Sequence, residues 1–211
     1  MSRYYPIFLN VEGRVCLVVG GGAVAGRKAA SLVECGARVR VVSPEISGEM
    51  KKLVELSGVE HVPEPFDGQA HMDGVILAIA STDDDSVNRA VYEAAVARGI
   101  PVNVVDQPDL CTFIVPSLVR RGALSIAVST SGKSPAVSKR VRRKLEEEFG
   151  DEWAVYLEMM GRARERALEL VGDQKTREEI FNRLADSPLL ERIKEGDMEG
   201  ARRLVEELVG R

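Results

Sequence analysis

Along the first hundred residues, short unbroken apolar runs alternate with stretches whose apolar positions recur every three or four residues. The first kind marks a strand buried on both faces and the second a helix laid over it. Val15-Cys16-Leu17-Val18-Val19 is such a run and ends at Gly20, after which Ala25 to Glu34 reads as a helix stopped at Gly36. Arg38 to Val42 forms the next strand, ended by Ser43-Pro44-Glu45. Val75 to Ala80 is a further buried run, and Ser81-Thr82-Asp83-Asp84-Asp85 leads from it into a helix that reaches about Ala97 and closes at Gly99. Ile100 to Val105 makes the following strand. This order predicts an α/β fold, a Rossmann-like parallel sheet over residues 1–112.

The pattern changes near Cys111. Phe113 to Val119 and Leu124 to Ser129 are β-rich runs joined by Arg120-Arg121-Gly122-Ala123, a spacing that suits a hairpin. Ser134-Pro135 then opens a basic helix that runs to about Phe149, which completes a second segment over residues 113–149. Beyond Gly150, Trp153, Tyr156, Met160, Ala163 and Ala167 share one helical stripe. Asp173, Ser187 and Asp197 read as N-caps of shorter helices, so residues 150–211 are expected to form a helical C-terminal domain.

With 45% hydrophobic and 29% charged positions in 211 residues, the chain is globular in composition. No apolar run approaches the roughly 20 residues of a membrane span. The opening Met1-Ser2-Arg3-Tyr4-Tyr5-Pro6 lacks the basic-then-apolar layout of a secretory signal, so a cytoplasmic protein is expected. Cys16, Cys35 and Cys111 form no Cys-x-x-Cys pair, and a buried, reduced thiol is expected at each. His61 and His71 are not at ligand spacing, so no metal site is expected. Asp83-Asp84-Asp85 sits where a strand turns into a helix, and capping of that helix is the better reading than metal binding. Gly132-Lys133-Ser134 imitates the end of a P-loop, but Ala127 stands where its first glycine belongs, which excludes an ATP site of that kind.

Two features carry chemistry. Gly20-Gly21-Gly22-Ala23-Val24-Ala25 fits the G-x-G-x-x-A form between a strand and a helix. Gly20 permits the tight turn, Gly22 lets main chain approach a pyrophosphate, Ala25 allows close packing, and the helix N-terminus faces the anion. No Arg or Lys occupies Ser43, Pro44 or Glu45, where a 2′-phosphate would need one, and this favours NAD over NADP. The second feature is a run from Ile114 to Lys144 whose ionisable side chains are Arg120, Arg121, Lys133, Lys139, Arg140, Arg142, Arg143 and Lys144, in a protein of net charge −4. A solvated helix face near a subunit interface explains such a run, and so does an anionic partner. Nucleic acid fits poorly, because the aromatic residues that stack bases are missing from it. A small polycarboxylate suits it better.

These motifs resemble the siroheme synthase family, meaning precorrin-2 dehydrogenase with or without sirohydrochlorin ferrochelatase activity. The resemblance rests on Pro6-Ile7-Phe8, Val18 to Lys28, Ala78 to Asp84, Asn103-Val104-Val105-Asp106, Phe113 to Ser117 and Ser129 to Pro135, in the family's order over residues 4–149. It implies NAD-dependent oxidation of precorrin-2, a tetrapyrrole rimmed with carboxylates, and iron insertion in some members. It carries Asp106 over as the catalytic acid/base, and Asn103, Lys133, Ser134 and Arg140 as substrate contacts. Gly20, Gly22, Ala23, Val24, Ala25, Ser43, Pro44, Glu45, Ser81 and Thr82 form the expected cofactor set. It further implies a homodimer joined through residues 113–149, with the C-terminal helices covering the substrate cleft. Thr130 stands where some bifunctional members are phosphorylated. No membrane or nucleic-acid partner is expected. Two other readings differ in kind: an NAD-responsive redox-sensing regulator whose basic helix binds DNA or a partner, and a chelatase without dehydrogenase activity.

Overall fold

A computed structural model describes residues 4–210 and divides the chain into two units, one ending at Val115 and the other beginning at Pro116. The outer limits expected for the first and last domains, residues 1 and 211, and the start of the N-terminal segment lie outside the described residues. Among the described residues, no helix is long and apolar enough to cross a membrane.

The first unit is a five-stranded parallel sheet of β1 (Val15–Val19), β2 (Arg38–Val42), β3 (Glu60–Val62), β4 (Val75–Ala80) and β5 (Val102–Val104), in the order β3-β2-β1-β4-β5. The unbroken apolar runs are explained by burial on both faces. Leu17 and Val19 of β1 pack with Ala78, Ala80, Val102 and Val104 beneath Val91 and Ala95 of α3 (Asp85–Val96). The alternate residues Cys16 and Val18 pack with Val39, Val41, Leu77 and Ile79 beneath Ala25 and Ala29 of α1 (Ala23–Glu34) and Met50 of α2 (Gly48–Ser57).

Several elements differ from the sequence expectation. α1 begins at Ala23, two residues early, because extended Gly22 is its N-cap and accepts from the Gly26 N–H at 3.0 Å. α2 and β3 were not anticipated. Ser47 caps α2 through the Met50 N–H at 3.3 Å, and Met50, Leu53 and Val54 give it an inward face. β5 is shorter than Ile100 to Val105, since Val105 and Asp106 turn back through a Gln107 N–H to Val104 carbonyl bond of 3.2 Å. Of the cysteines, Cys16 is buried, Cys111 half-buried and Cys35 exposed, so the expectation of a buried thiol fails at Cys35, at the C-terminal end of α1.

In the second unit, β6 (Ser117–Arg121) and β7 (Leu124–Val128) form an antiparallel hairpin through a two-residue Gly122-Ala123 turn. The first run therefore starts four residues later than Phe113, beyond Pro116, which has no N–H to give a ladder. α4 (Pro135–Glu148) starts at Ser134, whose side chain accepts from the Val137 N–H at 3.3 Å. Only Ser138 of α4 is buried, and Val137 and Val141 lie on its surface. α5 (Glu152–Leu170) buries Tyr156, Ala163 and Ala167 against α6 (Gln174–Ala185), α7 (Leu189–Lys194) and α8 (Met198–Val209). Asp173 and Asp197 cap α6 and α8 through the Thr176 and Gly200 N–H groups. Ser187 does not cap α7. Its hydroxyl donates back to the Leu184 carbonyl at 2.7 Å, closing the end of α6, and Pro188 takes the N-cap position.

Candidate functional site

The carboxyl ends of β1, β2, β4 and β5 frame a cleft of about 810 Å³ in the first unit, at the point where strand order reverses between β1 and β4. Open parallel sheets bind ligands at this place because neighbouring loops diverge there. Gly20 has φ +123 and donates its N–H to the Val42 carbonyl at 3.0 Å, tying the loop to the end of β2. A side chain at Gly20 would strike the Ser81 carbonyl oxygen. Gly22 differs, since a Cβ built on it meets nothing within 4 Å and would enter the open cleft.

The helix that follows has free donors. The first N–H groups of any α-helix lack intrahelical acceptors. In the first unit, α2 and α3 supply side-chain acceptors for them, Ser47 and Asp84, whereas Gly22 supplies none to α1. No acidic residue stands in the first turn of α1. Its partial positive charge therefore faces the cleft uncompensated, a place where an anionic group gains both hydrogen bonds and a favourable dipole.

The rest of the wall is built by short-range bonds. Ser43 donates its hydroxyl to the Glu45 carbonyl at 2.7 Å, which folds the end of β2. Asn88 is buried and accepts the Thr82 N–H at 3.2 Å while its amide donates to the Thr82 carbonyl at 3.0 Å, so the turn after β4 is clamped. Asp84 accepts from the Ser86 hydroxyl and from the Ser86 and Val87 N–H groups. The Ser86 hydroxyl, with those main-chain donors, holds its carboxyl below the ordinary value of 3.8. Capping is thus the observed role of the acidic run at Asp84.

Asp106 lies on this cleft, exposed, with φ +61. It is the third residue of a turn closed by the Gln107 N–H on the Val104 carbonyl, a position where a type II turn calls for positive φ and usually takes glycine. An L-residue there costs roughly 1–2 kcal/mol, and Asp is among those that tolerate it best.

The cleft gathers Gly20, Gly22, Ala23, Val24, Ser43, Pro44, Glu45, Ser81, Thr82 and Asp106 of the expected set. Ala25 sits behind the loop, fully buried against the sheet. Asn103 does not line the cleft, and its amide donates instead to the Phe113 carbonyl at 3.0 Å. Lys133, Ser134 and Arg140 belong to the second unit. There Lys133 and Arg140 are exposed, as are Lys139, Arg143 and Lys144, while Arg121 pairs with Asp151 at 3.3 Å and Arg142 with Glu146.

Pro65, Phe66, Asn88 and Gln107 also line the cleft and were not anticipated. A buried-face Asn in α3 was the available signal for Asn88. Among the described lining residues, Glu45, Asp83, Asp84, Asp85 and Asp106 are acidic and none is Lys, Arg or His.

Comparison with known proteins matches three family models in succession. Residues 7–117 match a putative NAD(P)-binding family, residues 121–148 the central part of sirohaem biosynthesis proteins, and residues 155–209 a sirohaem synthase dimerisation region. The dimerisation label therefore falls on α5 to α8, not on the hairpin and basic helix. The siroheme synthase of Pseudomonas aeruginosa (strain LESB58) is 42% identical over 205 residues, covering 97% of this chain and 44% of that protein. That of Thioalkalivibrio sulfidiphilus (strain HL-EbGR7) is 38% identical over 203 residues, covering 96% and 41%. The chain thus spans less than half the length of these relatives. A solved structure described as SirC, precorrin-2 dehydrogenase, shares the fold with a TM-score of 0.80 at 23% identity, covering 97% of this chain and 98% of that one.

Proposed function

Because this chain belongs to the siroheme synthase family, we propose that it oxidises precorrin-2 to sirohydrochlorin with NAD as hydride acceptor. The observation that carries this reading is the uncapped N-terminus of α1 behind Gly20 to Gly22, opening on the same cleft as Asp106. The residues fit a dinucleotide. The open space over Gly22 would admit a pyrophosphate to main-chain N–H groups, and Ser43 to Glu45, Ser81 and Thr82 would hold the rest of the dinucleotide.

When bound, NAD supplies the site that receives a hydride from a C–H bond of the substrate. The new double bond is completed as a proton leaves the adjoining atom, so NADH and one proton accompany each turnover. Asp106, as carboxylate, takes that proton or fixes the macrocycle so that water takes it. A wall with five carboxylates and no cation repels an added 2′-phosphate, which supports NAD over NADP. The same wall offers nothing to the carboxylates of the substrate. Exposed Lys133 and Arg140 of the second unit are cations of the kind that such carboxylates need.

The working molecule is read as a cytoplasmic homodimer. Two observations support the dimer: the dimerisation-region match over 155–209, and the surface valines Val137 and Val141, one turn apart on α4 among cations. Residues 113–149 and 150–211 both remain candidates for the contact.

Anaerobic incubation with precorrin-2 and NAD tests the activity. Sirohydrochlorin absorbance should develop with NAD and not without it, and Asp106→Asn should reduce the rate by on the order of a hundredfold. NAD binding without turnover would point to a sensor. Metal loading of supplied sirohydrochlorin, with no oxidation, would point to a chelatase alone.

A further inference from the structure

A small set of bonds lies behind the turn that carries Asp106. The Cys111 thiol reaches the carbonyls of Val104 at 3.2 Å and Gln107 at 3.3 Å, the residues at the two ends of that turn. Asn103 donates its amide to the Cys111 sulfur at 3.5 Å and to the Phe113 carbonyl at 3.0 Å. The adjoining Thr112 hydroxyl accepts the Val102 N–H at 2.8 Å, and the Thr112 N–H donates to the Val102 carbonyl at 2.8 Å. Residues 111–113 are thereby laced alongside β5, with Asp106 at the far end of the loop they close.

We propose that Cys111 and Asn103 are positioning residues, which hold the 104–107 turn in the form that presents Asp106 to the cleft. This rests on Asp106 being the acid/base of the proposed reaction. An exposed left-handed Asp has an accessible right-handed alternative that relieves its strain. The thiol opposes relaxation by opening of the turn, because the Val104 and Gln107 carbonyls that it reaches stand at the turn's two ends and separate when the Gln107 N–H leaves the Val104 carbonyl. Burial pushes the Cys111 thiol up from its ordinary value of 9.0, so it remains a protonated donor at neutral pH. An S–H is a weak donor, but it needs only to bias two conformers of one turn. Asn103, expected at the substrate, acts here through the loop, since both of its amide contacts lead to residues 111 and 113.

The full chain and its Cys111→Ala, Cys111→Ser and Asn103→Ala variants provide the test. Cys111→Ala should lower kcat for precorrin-2 oxidation by about ten- to a hundredfold, up to the scale expected when a reacting group is misplaced by an ångström, while the KM for NAD and calorimetric NAD affinity stay at the wild-type values. Cys111→Ser keeps a donor in the same place and should recover most of the loss. Amide exchange should show weaker protection at 104–107 in Cys111→Ala and Asn103→Ala, with residues 15–26 unchanged. This last readout needs no substrate. Exchange that responds as stated in a protein with no precorrin-2 turnover supports the holding role and sinks the proposed reaction. Turnover in the wild type with unchanged kcat and protection in Cys111→Ala overturns the holding role. So does a serine variant as impaired as the alanine one, or a loss of kcat matched by an equal loss of NAD affinity.

Discussion

At the scale of single residues, two glycines two positions apart do opposite work. Gly20 is required by the fold, since its φ of +123 and the Ser81 carbonyl leave no room for a side chain. Gly20→Ala should lower stability by on the order of 1–3 kcal/mol in chemical denaturation. Gly22 is not required by packing, since a Cβ there meets nothing within 4 Å, and under the proposed reading that space is left for the ligand. Gly22→Leu should fold with a melting temperature only slightly lowered by the poorer N-cap and lose most NAD affinity in calorimetry, because its side chain would fill the space left for a pyrophosphate. Wild-type affinity in that variant would remove the cofactor assignment. The tight turn at Gly20 was legible in the sequence, as a glycine spacing after an apolar strand. Asn88, Gln107 and the Cys111 contacts were not, because each depends on which loop the fold brings beside it.

At the scale of elements, strands with both faces covered were plain, since β1 and β4 need only an unbroken apolar run, and β2 shows through the alternation of Val39 and Val41 with Arg38 and Arg40. α2 and β3 were hidden by composition: α2 buries Met50 beneath a mostly charged surface, and β3 is three residues at the sheet edge with none fully buried. The serine before α7 misled because Ser and Asp share the capping signature, yet Ser187 has a nearer acceptor in the Leu184 carbonyl. The Asp caps behave as read. Asp84, Asp173 and Asp197 are all held below the ordinary carboxyl value of 3.8, chiefly by the Ser86 hydroxyl, the Thr176 N–H and the Gly200 N–H respectively. A carboxyl whose folded value is depressed contributes fully above its unfolded value and loses that contribution as pH falls through the folded one. Asp173→Ala should therefore lower the melting temperature at pH 7, by a difference that shrinks as pH falls below the ordinary carboxyl value of 3.8.

At the scale of the whole molecule, the described lining of the cleft in the sheet unit holds carboxylates and no cation, and exposed Lys139, Arg140, Arg143 and Lys144 lie on α4 of the helical unit. Sedimentation should give the mass of two chains, and Val137→Glu combined with Val141→Glu should shift it toward one if α4 is the contact; mutation on α5 to α8 would do so otherwise. The N-terminal stretch leaves Tyr5, Ile7 and Phe8 exposed at 86%, 68% and 75%, apolar area of the kind that oligomers cover. A phosphate pocket without Lys or Arg also has an unusual response to electrolyte. Nucleotide sites built on cationic side chains weaken as ions are added, since their attraction is shielded. Here the side-chain field is repulsive, so added potassium chloride shields a penalty, and the dissociation constant for NAD should hold steady or fall between dilute and physiological buffer.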